Sequence, residues 1–362
     1  MSVTVFGSIT TFKDLFAYIM DLSKHQSFTL IIDEFQEFFN INSSIYSDMQ
    51  HIWDINKHLS HINLILCGSI YSLMHKIFEN SKEPLFGRAA SRIQLLPFSI
   101  DALKNILNDY YPKHTNEDLL AMHALSDRVA KYVELFMQEK ALSFEAMIKE
   151  IFLENSLFLD EGKNILIDEF GKDYGSYFSI LTLIASSKTS RSEIESTLRM
   201  QVGSFLDRLE NNFSLISKVR PILANPLSRN VRYRIPDNFL NFWFRFIYKY
   251  RSAIEMRNFK YVKDIIKRDY TAYSGTILER YFTKKIANEC NLSVIGSYWE
   301  VRNKNEIDIV AINEYEKRVL FAEIKRQKKN IDIALLKSKA SRLVQKLTGY
   351  KINFQSFSME DM

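Results

Sequence analysis

The sequence predicts an α/β protein built from several regions in tandem. In residues 1–100, segments with the helical period of 3.6 residues alternate with short apolar runs that end in polar residues. Residues 101–170 keep the helical period without strands, and the last region, 249–362, places two further apolar runs among helices. The alternation predicts a helix-covered sheet near each end of the chain, separated by helical segments.

The composition is that of a globular protein. Of the 362 residues, 46% are hydrophobic and 25% are charged. No apolar run approaches the roughly 18 residues that cross a bilayer, because Arg245 and Lys249 interrupt the nearest one, 239–250. Two distant cysteines provide neither a disulfide framework nor a metal quartet. We therefore expect a cytoplasmic protein without a membrane partner.

The first region alternates predicted helices with predicted strands, and each is predicted from its hydrophobic periodicity. The pattern predicts helices over 12–23 and 44–59, and strands over 28–33, 62–69 and 92–99. Paired acids, Asp33 and Glu34, end the first strand in "LIIDEFQEFF". An Asp in this place can hold Mg²⁺ beside phosphates, and a following Glu can orient the attacking water. The phosphate cradle G-x-x-x-x-G-K-[ST] is absent from the sequence.

The middle of the chain predicts a helical lid followed by a winged helix. Residues 101–170 read as consecutive helices, and 171–248 as three short helices and a hairpin, the second helix opening with a Ser-x-x-Glu capping box. The third helix offers Ser204, Asp207, Arg208 and Asn211, a nearly neutral set. This neutrality favours a packing or interdomain role over the reading of bases.

Positive charge is concentrated in the last third of the chain, although the net charge is only +5. Residues 245–285 hold 11 Lys or Arg against 4 acids, and 325–346 hold 8 against one. Such a concentration suits a polyanion such as nucleic acid. A solvated lysine-rich helix face is the alternative.

Two strands near the C-terminus carry the most specific chemical pattern. In "VLFAEIKR" the period of two places Glu323 and Lys325 on one face, and in "EIDIVAI" Asp308 interrupts a buried strand. A buried carboxylate needs a cation or strong hydrogen bonds. Two carboxylates and a lysine across a hairpin can hold Mg²⁺ and stabilise charge at a phosphate.

This D…E-x-K arrangement resembles the PD-(D/E)xK phosphodiesterases, which have a restriction-endonuclease-like α/β fold. The resemblance implies that Asp308 and Glu323 are ligands of Mg²⁺ or Mn²⁺ and that Lys325 is the catalytic lysine. It also implies a further acidic ligand from the preceding helix, for which Glu279 in "GTILERYF" is well placed. The alternative is a salt-bridged hairpin on a related domain that does not cleave.

The order of motifs along nearly the whole chain resembles the archaeal-type P-loop ATPases (AAA/STAND-like) with a C-terminal nuclease-like domain. The resemblance implies that Asp33 is the Mg²⁺-binding Walker B residue, Glu34 the catalytic acid, and Ser69 a polar sensor. Arg88 in "LFGR" is a candidate phosphate-sensing arginine or a loop residue paired with a carboxylate. The family's first strand and P-loop would lie upstream of Met1, so we expect ATP binding in intact relatives and poor ATP binding here.

Three hypotheses for the function follow. The leading one is an ATPase-family protein that acts on nucleic acid, DNA rather than RNA because of the winged helix. It has a Mg²⁺- or Mn²⁺-dependent nuclease domain and an ATP site that is incomplete in this chain. The second is a non-catalytic scaffold or DNA-binding protein with degenerate ATPase and nuclease sites. The third keeps ATP hydrolysis, with phosphate-binding groups supplied from elsewhere. A homo-oligomer is compatible with each.

Overall fold

Two compact units, Met1–Leu95 and Leu96–Met362, make up the chain in the computed structural model. The structure describes residues 9–69, 71–170, 173–301 and 304–362. No helix in these ranges is long and apolar enough to cross a membrane.

The first unit surrounds a two-stranded parallel sheet with helices. Its strands are β1 (Phe28–Ile32) and β2 (Ile62–Leu66). Its helices are α1 (Phe12–Leu22), α2 (Phe38–Asn42), α3 (Ser44–Asn56) and α4 (Tyr71–Glu79). The predicted helices at 12–23 and 44–59 and the first two predicted strands are confirmed. Thr11 begins α1, because its hydroxyl accepts a hydrogen bond from the amide of Asp14.

In β1 and β2, successive residues point alternately toward the core of this unit and toward the opposite face of the sheet. The strands pair in register from Phe28 opposite Ile62 to Ile32 opposite Leu66. Phe16, Met20 and Phe35 are buried in the core beneath them, whereas Ile31 and Ile65 are exposed. The parallel pairing brings the carboxyl ends of both strands to the same edge, where Asp33 and Ser69 follow.

The predicted strand over 92–99 is wrong. These residues have no regular secondary structure, and Ile93, Leu95 and Leu96 are largely exposed. A strand needs a neighbour that satisfies its backbone groups, and no described strand pairs with this segment. The apolar run alone was therefore an insufficient signal.

Helices alone form the first part of the second unit, as the sequence predicts for 101–170. They are α5 (Ile100–Tyr110), α6 (Asn116–Ser126), α7 (Ala130–Gln138), α8 (Phe144–Ile151) and α9 (Leu157–Phe170). Side-chain hydroxyls of Ser99, Thr115 and Ser143 cap three of them. Helix α6 is buried all round, so it is the centre of this helical layer.

Three helices and an antiparallel strand pair follow. They are α10 (Tyr174–Ala185), α11 (Arg191–Leu198), α12 (Gly203–Asn211), β3 (Ser217–Val219) and β4 (Arg232–Arg234). The capping box predicted for α11 is confirmed, because Ser190 and Glu193 each hydrogen-bond the other's backbone amide. The elements match those expected from the sequence in kind and order.

The C-terminal region contains a long helix and a four-stranded mixed sheet. Its helices are α13 (Asn238–Phe242), α14 (Arg251–Glu255), α15 (Phe259–Glu289) and α16 (Ile333–Lys346). Its strands are β5 (Val294–Tyr298), β6 (Ile307–Asn313), β7 (Arg318–Ile324) and β8 (Lys351–Phe357). They lie in the order β5-β6-β7-β8, with only the β7–β8 pair parallel.

The sequence predicts the two central strands, β6 and β7, but not the outer strands. The burial of β8 alternates along much of its length, a period-two signal that "KINFQSF" carries weakly through its Ile and Phe residues. Strands β6 and β7 are buried along nearly their whole length, because they lie between neighbours in the sheet and helices α15 and α16 pack against them.

Candidate functional site

Asp308 lies in β6 where its pairing with β7 ends. Its carboxylate oxygen Oδ2 accepts a hydrogen bond of 2.7 Å from the backbone amide of Ile324. Burial raises the pKa of Asp308 above its ordinary value, and the charge of Lys325 and this hydrogen bond oppose the increase. The position therefore holds a carboxylate that needs a cation.

Lys325 connects the two predicted carboxylates. Its ammonium nitrogen Nζ lies 2.9 Å from Oε1 of Glu323 and 3.4 Å from Oδ2 of Asp308. Both acidic side chains are nearly buried, at 7% and 10% exposure, whereas the lysine is 39% exposed. Burial by itself lowers the pKa of Lys325, but the negative charges of Asp308 and Glu323 raise it above its ordinary value.

Glu279 on α15 is the third predicted carboxylate, and it interacts with this group electrostatically. Burial, reinforced by the charge of Asp308, raises the pKa of Glu279 to about 8. Lys325 and Arg280 oppose that shift. The four residues predicted for this site therefore belong to one electrostatic cluster, which we call the acidic cluster: Glu279, Asp308, Glu323 and Lys325.

Lys339 is a further residue at this site that the sequence pattern does not predict. This residue on α16 places its ammonium 3.2 and 3.3 Å from the two carboxylate oxygens of Glu323. The signal available in the sequence was helical periodicity: buried Leu336, Ala340 and Leu343 define the face of α16 that contacts the sheet, and Lys339 lies next to Ala340. Its partner could not be identified without the tertiary structure.

Two carboxylates of the acidic cluster, those of Asp308 and Glu323, have the chemistry of ligands for a divalent cation. Among the residues that the structure describes, no group of three or more His, Cys, Asp or Glu side chains could hold a metal ion. Asp308 and Glu323 nevertheless place two nearly buried carboxylates around one ammonium. Mg²⁺ and Mn²⁺ prefer oxygen ligands and are commonly bound through one or two carboxylates and water. The pair could therefore supply part of such a ligand set.

The first unit brings together three of its predicted site residues at the shared edge of β1 and β2. Ser69 donates a hydrogen bond of 2.7 Å from its hydroxyl to Oε2 of Glu34, and Gln36 donates to the same oxygen. Hydrogen bonds from Gln36 and Ser69 lower the pKa of Glu34. Asp33 accepts a hydrogen bond of 2.9 Å from the Glu34 amide. Asp33, Glu34 and Ser69 thus form one polar group.

Arg88, the fourth predicted residue of this region, has other partners. Its guanidinium contacts Oδ2 of Asp54 at 2.8 and 3.2 Å, and it donates to the carbonyl oxygens of Pro84 and Phe86. The structure therefore matches the alternative in which Arg88 is a loop residue paired with a carboxylate. A hydrogen bond from Arg88 also lowers the pKa of Asp54.

Comparisons with known proteins identify relatives of unassigned function. Residues 243–342 match the DUF234 family, described as archaeal and bacterial proteins of unknown function. The uncharacterized protein MJECL04 of Methanocaldococcus jannaschii is 30% identical over 306 residues, which cover 82% of this chain and 67% of that protein. The uncharacterized protein MJ0424 of the same organism is 34% identical over 67 residues, 18% of this chain and 65% of that protein.

A solved structure is also similar. The Walker-type ATPase PABY2304 of Pyrococcus abyssi is 19% identical and has a TM-score of 0.48, covering 65% of this chain and 68% of that chain. A similarity at this level does not establish a shared fold.

Proposed function

We propose a function for this chain, which belongs to the same family as the uncharacterized protein MJECL04 of Methanocaldococcus jannaschii. The proposed function is that the C-terminal region of this chain hydrolyses phosphodiester bonds in DNA. The observation that carries the proposal is the ion-paired group in which Lys325 contacts both Asp308 and Glu323. Carboxylates and a lysine arranged in this way are suited to holding a metal and a phosphate together.

Asp308 and Glu323 would hold Mg²⁺ or Mn²⁺, which when bound lowers the pKa of a water molecule and neutralises charge on the phosphate. Lys325 is 39% exposed, so its ammonium can donate hydrogen bonds to a phosphate oxygen or to the attacking water. Glu279, whose pKa is raised to about 8 by burial and by Asp308, is protonated near neutral pH.

The basic residues of the C-terminal region support a nucleic-acid substrate. Lys260, Lys263 and Lys267 lie along one side of α15 and, with Lys149 of α8, line an open groove of about 530 Å³. Two acids, Glu145 and Asp264, also line it, so lysines outnumber acids by four to two. Further Lys and Arg residues on α16 follow the acidic cluster in the sequence. A positively charged surface of this kind would bind the phosphate backbone independently of base sequence.

We propose that α10–α12 with β3 and β4 form a winged helix that supports the C-terminal sheet. The backbone amide of Ile222, in the loop after β3, donates to the carbonyl oxygen of Ser297 in β5. Arg232 of β4 forms an ion pair of 2.6 Å with Glu306 and stacks on the ring of Trp299. These contacts, made by β4 and by the loop after β3, support a packing role for this part of the winged helix.

We propose that the first unit is ATPase-like. Support comes from the hydrogen bond between Glu34 and Ser69 beside Asp33, at the carboxyl edge of two parallel strands. Ligands of open α/β sheets bind at this edge. The sequence contains no G-x-x-x-x-G-K-[ST] pattern, so these residues account for the hydrolytic side of a nucleotide site and not for the phosphate cradle.

Cleavage of supercoiled, linear and branched DNA, with Mg²⁺ or Mn²⁺, tests the proposed activity. We expect metal-dependent cleavage by the wild-type chain and a loss of at least a hundredfold in Lys325→Ala, the range of a lost charged group that acts on the transition state. Lys113→Ala, at an exposed lysine between α5 and α6, is the control and should cleave normally. If the wild type cleaves no substrate, the proposal fails and the scaffold hypothesis is favoured.

A further inference from the structure

Glu323 contacts two positive charges, one from Lys325, which follows it in the sequence, and one from Lys339 on helix α16. The Lys325 ammonium contacts Oε1 from one side, and the Lys339 ammonium from α16 contacts both oxygens. The Glu323 side chain is only 7% exposed and that of Lys339 is 21% exposed. Close charge pairs in such partly desolvated places interact more strongly than pairs on the surface.

The two lysines balance the charges of Asp308 and Glu323 without a metal. Asp308 and Glu323 contribute two negative charges, and Lys325 and Lys339 contribute two positive charges. A cation that takes Glu323 as a ligand needs lone pairs of the oxygens that Lys339 now contacts. It also experiences repulsion from this ammonium at close range. Lys325 differs from Lys339 in its contacts and in its position. It also contacts Asp308, and it follows Glu323 by two residues on the same chain segment.

We propose that Lys339 competes with the divalent cation for Glu323, so that metal binds only when the Lys339 side chain leaves this carboxylate. The inference rests on the proposed metal-dependent function and deepens it by naming a residue that regulates metal occupancy. Lysine suits this role, because its side chain is flexible and its ammonium is a compact charge that can move without disturbing the backbone of α16.

Titration calorimetry with Mn²⁺ alone, on the full chain, tests the competition. We expect Lys339→Met to bind Mn²⁺ at least tenfold more tightly than the wild type, because the competing ammonium is removed while the aliphatic part of the side chain is kept. Lys339→Arg retains the charge and should keep the weaker affinity. Lys346→Met removes an exposed charge from the last turn of the same helix and should change the affinity less than twofold.

Two results overturn the competition while leaving the metal site intact. Equal Mn²⁺ affinity in the wild type and Lys339→Met would show that the ammonium does not compete. Weaker binding by Lys339→Met would show that Lys339 orients Glu323 for the metal instead. A lack of Mn²⁺ binding by every form would refute the proposed metal site itself. Thermal unfolding checks that each variant folds, and Lys339→Gln replaces the Met variant if that variant does not.

Discussion

Replacement of Asp237 by Asn is expected to stabilise the second unit in a manner that depends on pH. Asp237 begins α13, and its Oδ1 accepts a hydrogen bond of 2.8 Å from the amide of Leu240. Burial, reinforced by the charge of Asp127, raises the pKa of Asp237 to about 7. Asparagine keeps the helix cap, because its amide oxygen accepts the same hydrogen bond, but it carries no charge.

The direction in which stability changes with pH follows from comparing the pKa of Asp237 in the folded and unfolded chains. The unfolded carboxyl releases its proton near pH 3.9, whereas the folded one keeps it until about pH 7. Between these values the unfolded state loses a proton that the folded state retains, so stability falls as pH rises. A shift of about three pH units corresponds to roughly 4 kcal/mol for an isolated group. Because Asp127 shares the titration, we expect roughly half of this, about 2 kcal/mol.

Thermal unfolding at pH 5 and pH 8 measures the effect. We expect Asp237→Asn to exceed the wild type in Tm by roughly 5 °C at pH 8 and by clearly less at pH 5. Asp127→Asn should act in the same direction, because burial also raises the pKa of Asp127, and the double variant should gain less than the sum of the single ones. An equal difference in Tm at both pH values would refute the assignment of the effect to a buried acid.

The remaining predictions concern packing and nucleotide binding. Gly162→Ala should destabilise the second unit by about 2 kcal/mol, since an added Cβ would lie 2.3 Å from Cδ2 of the Trp243 ring and overpacking costs about 1–3 kcal/mol; an unchanged Tm would contradict this packing. The wild-type chain should show less than about 1 °C of thermal stabilisation by 1 mM Mg-ATP, because a ligand whose Kd lies well above its concentration stabilises a protein very little. A larger increase, lost in a variant with Glu34 and Asp33 replaced by Ala, would show that the chain binds the nucleotide without the Walker A sequence.

Local patterns in the sequence determined the helices, their beginnings and the central strands. Ser190 and Glu193 form the capping box that their spacing predicts, because the partners are three residues apart and need no distant element. The D…E-x-K pattern likewise located Asp308, Glu323 and Lys325, since the period of a strand determines which residues share a face. Asp33, Glu34 and Ser69 also lie together, as the ends of adjacent parallel strands require.

The tertiary structure decided what depends on contacts between distant segments. The apolar run at 92–99 has strand-like composition but no described strand to pair with, whereas β5 and β8 form because β6 and β7 are beside them. The partners of Arg88 and Lys339 are 34 and 16 residues away in the sequence. A charged side chain contacts whichever opposite charge the fold brings within a few ångströms, and that distance is set by the packing of whole helices and sheets.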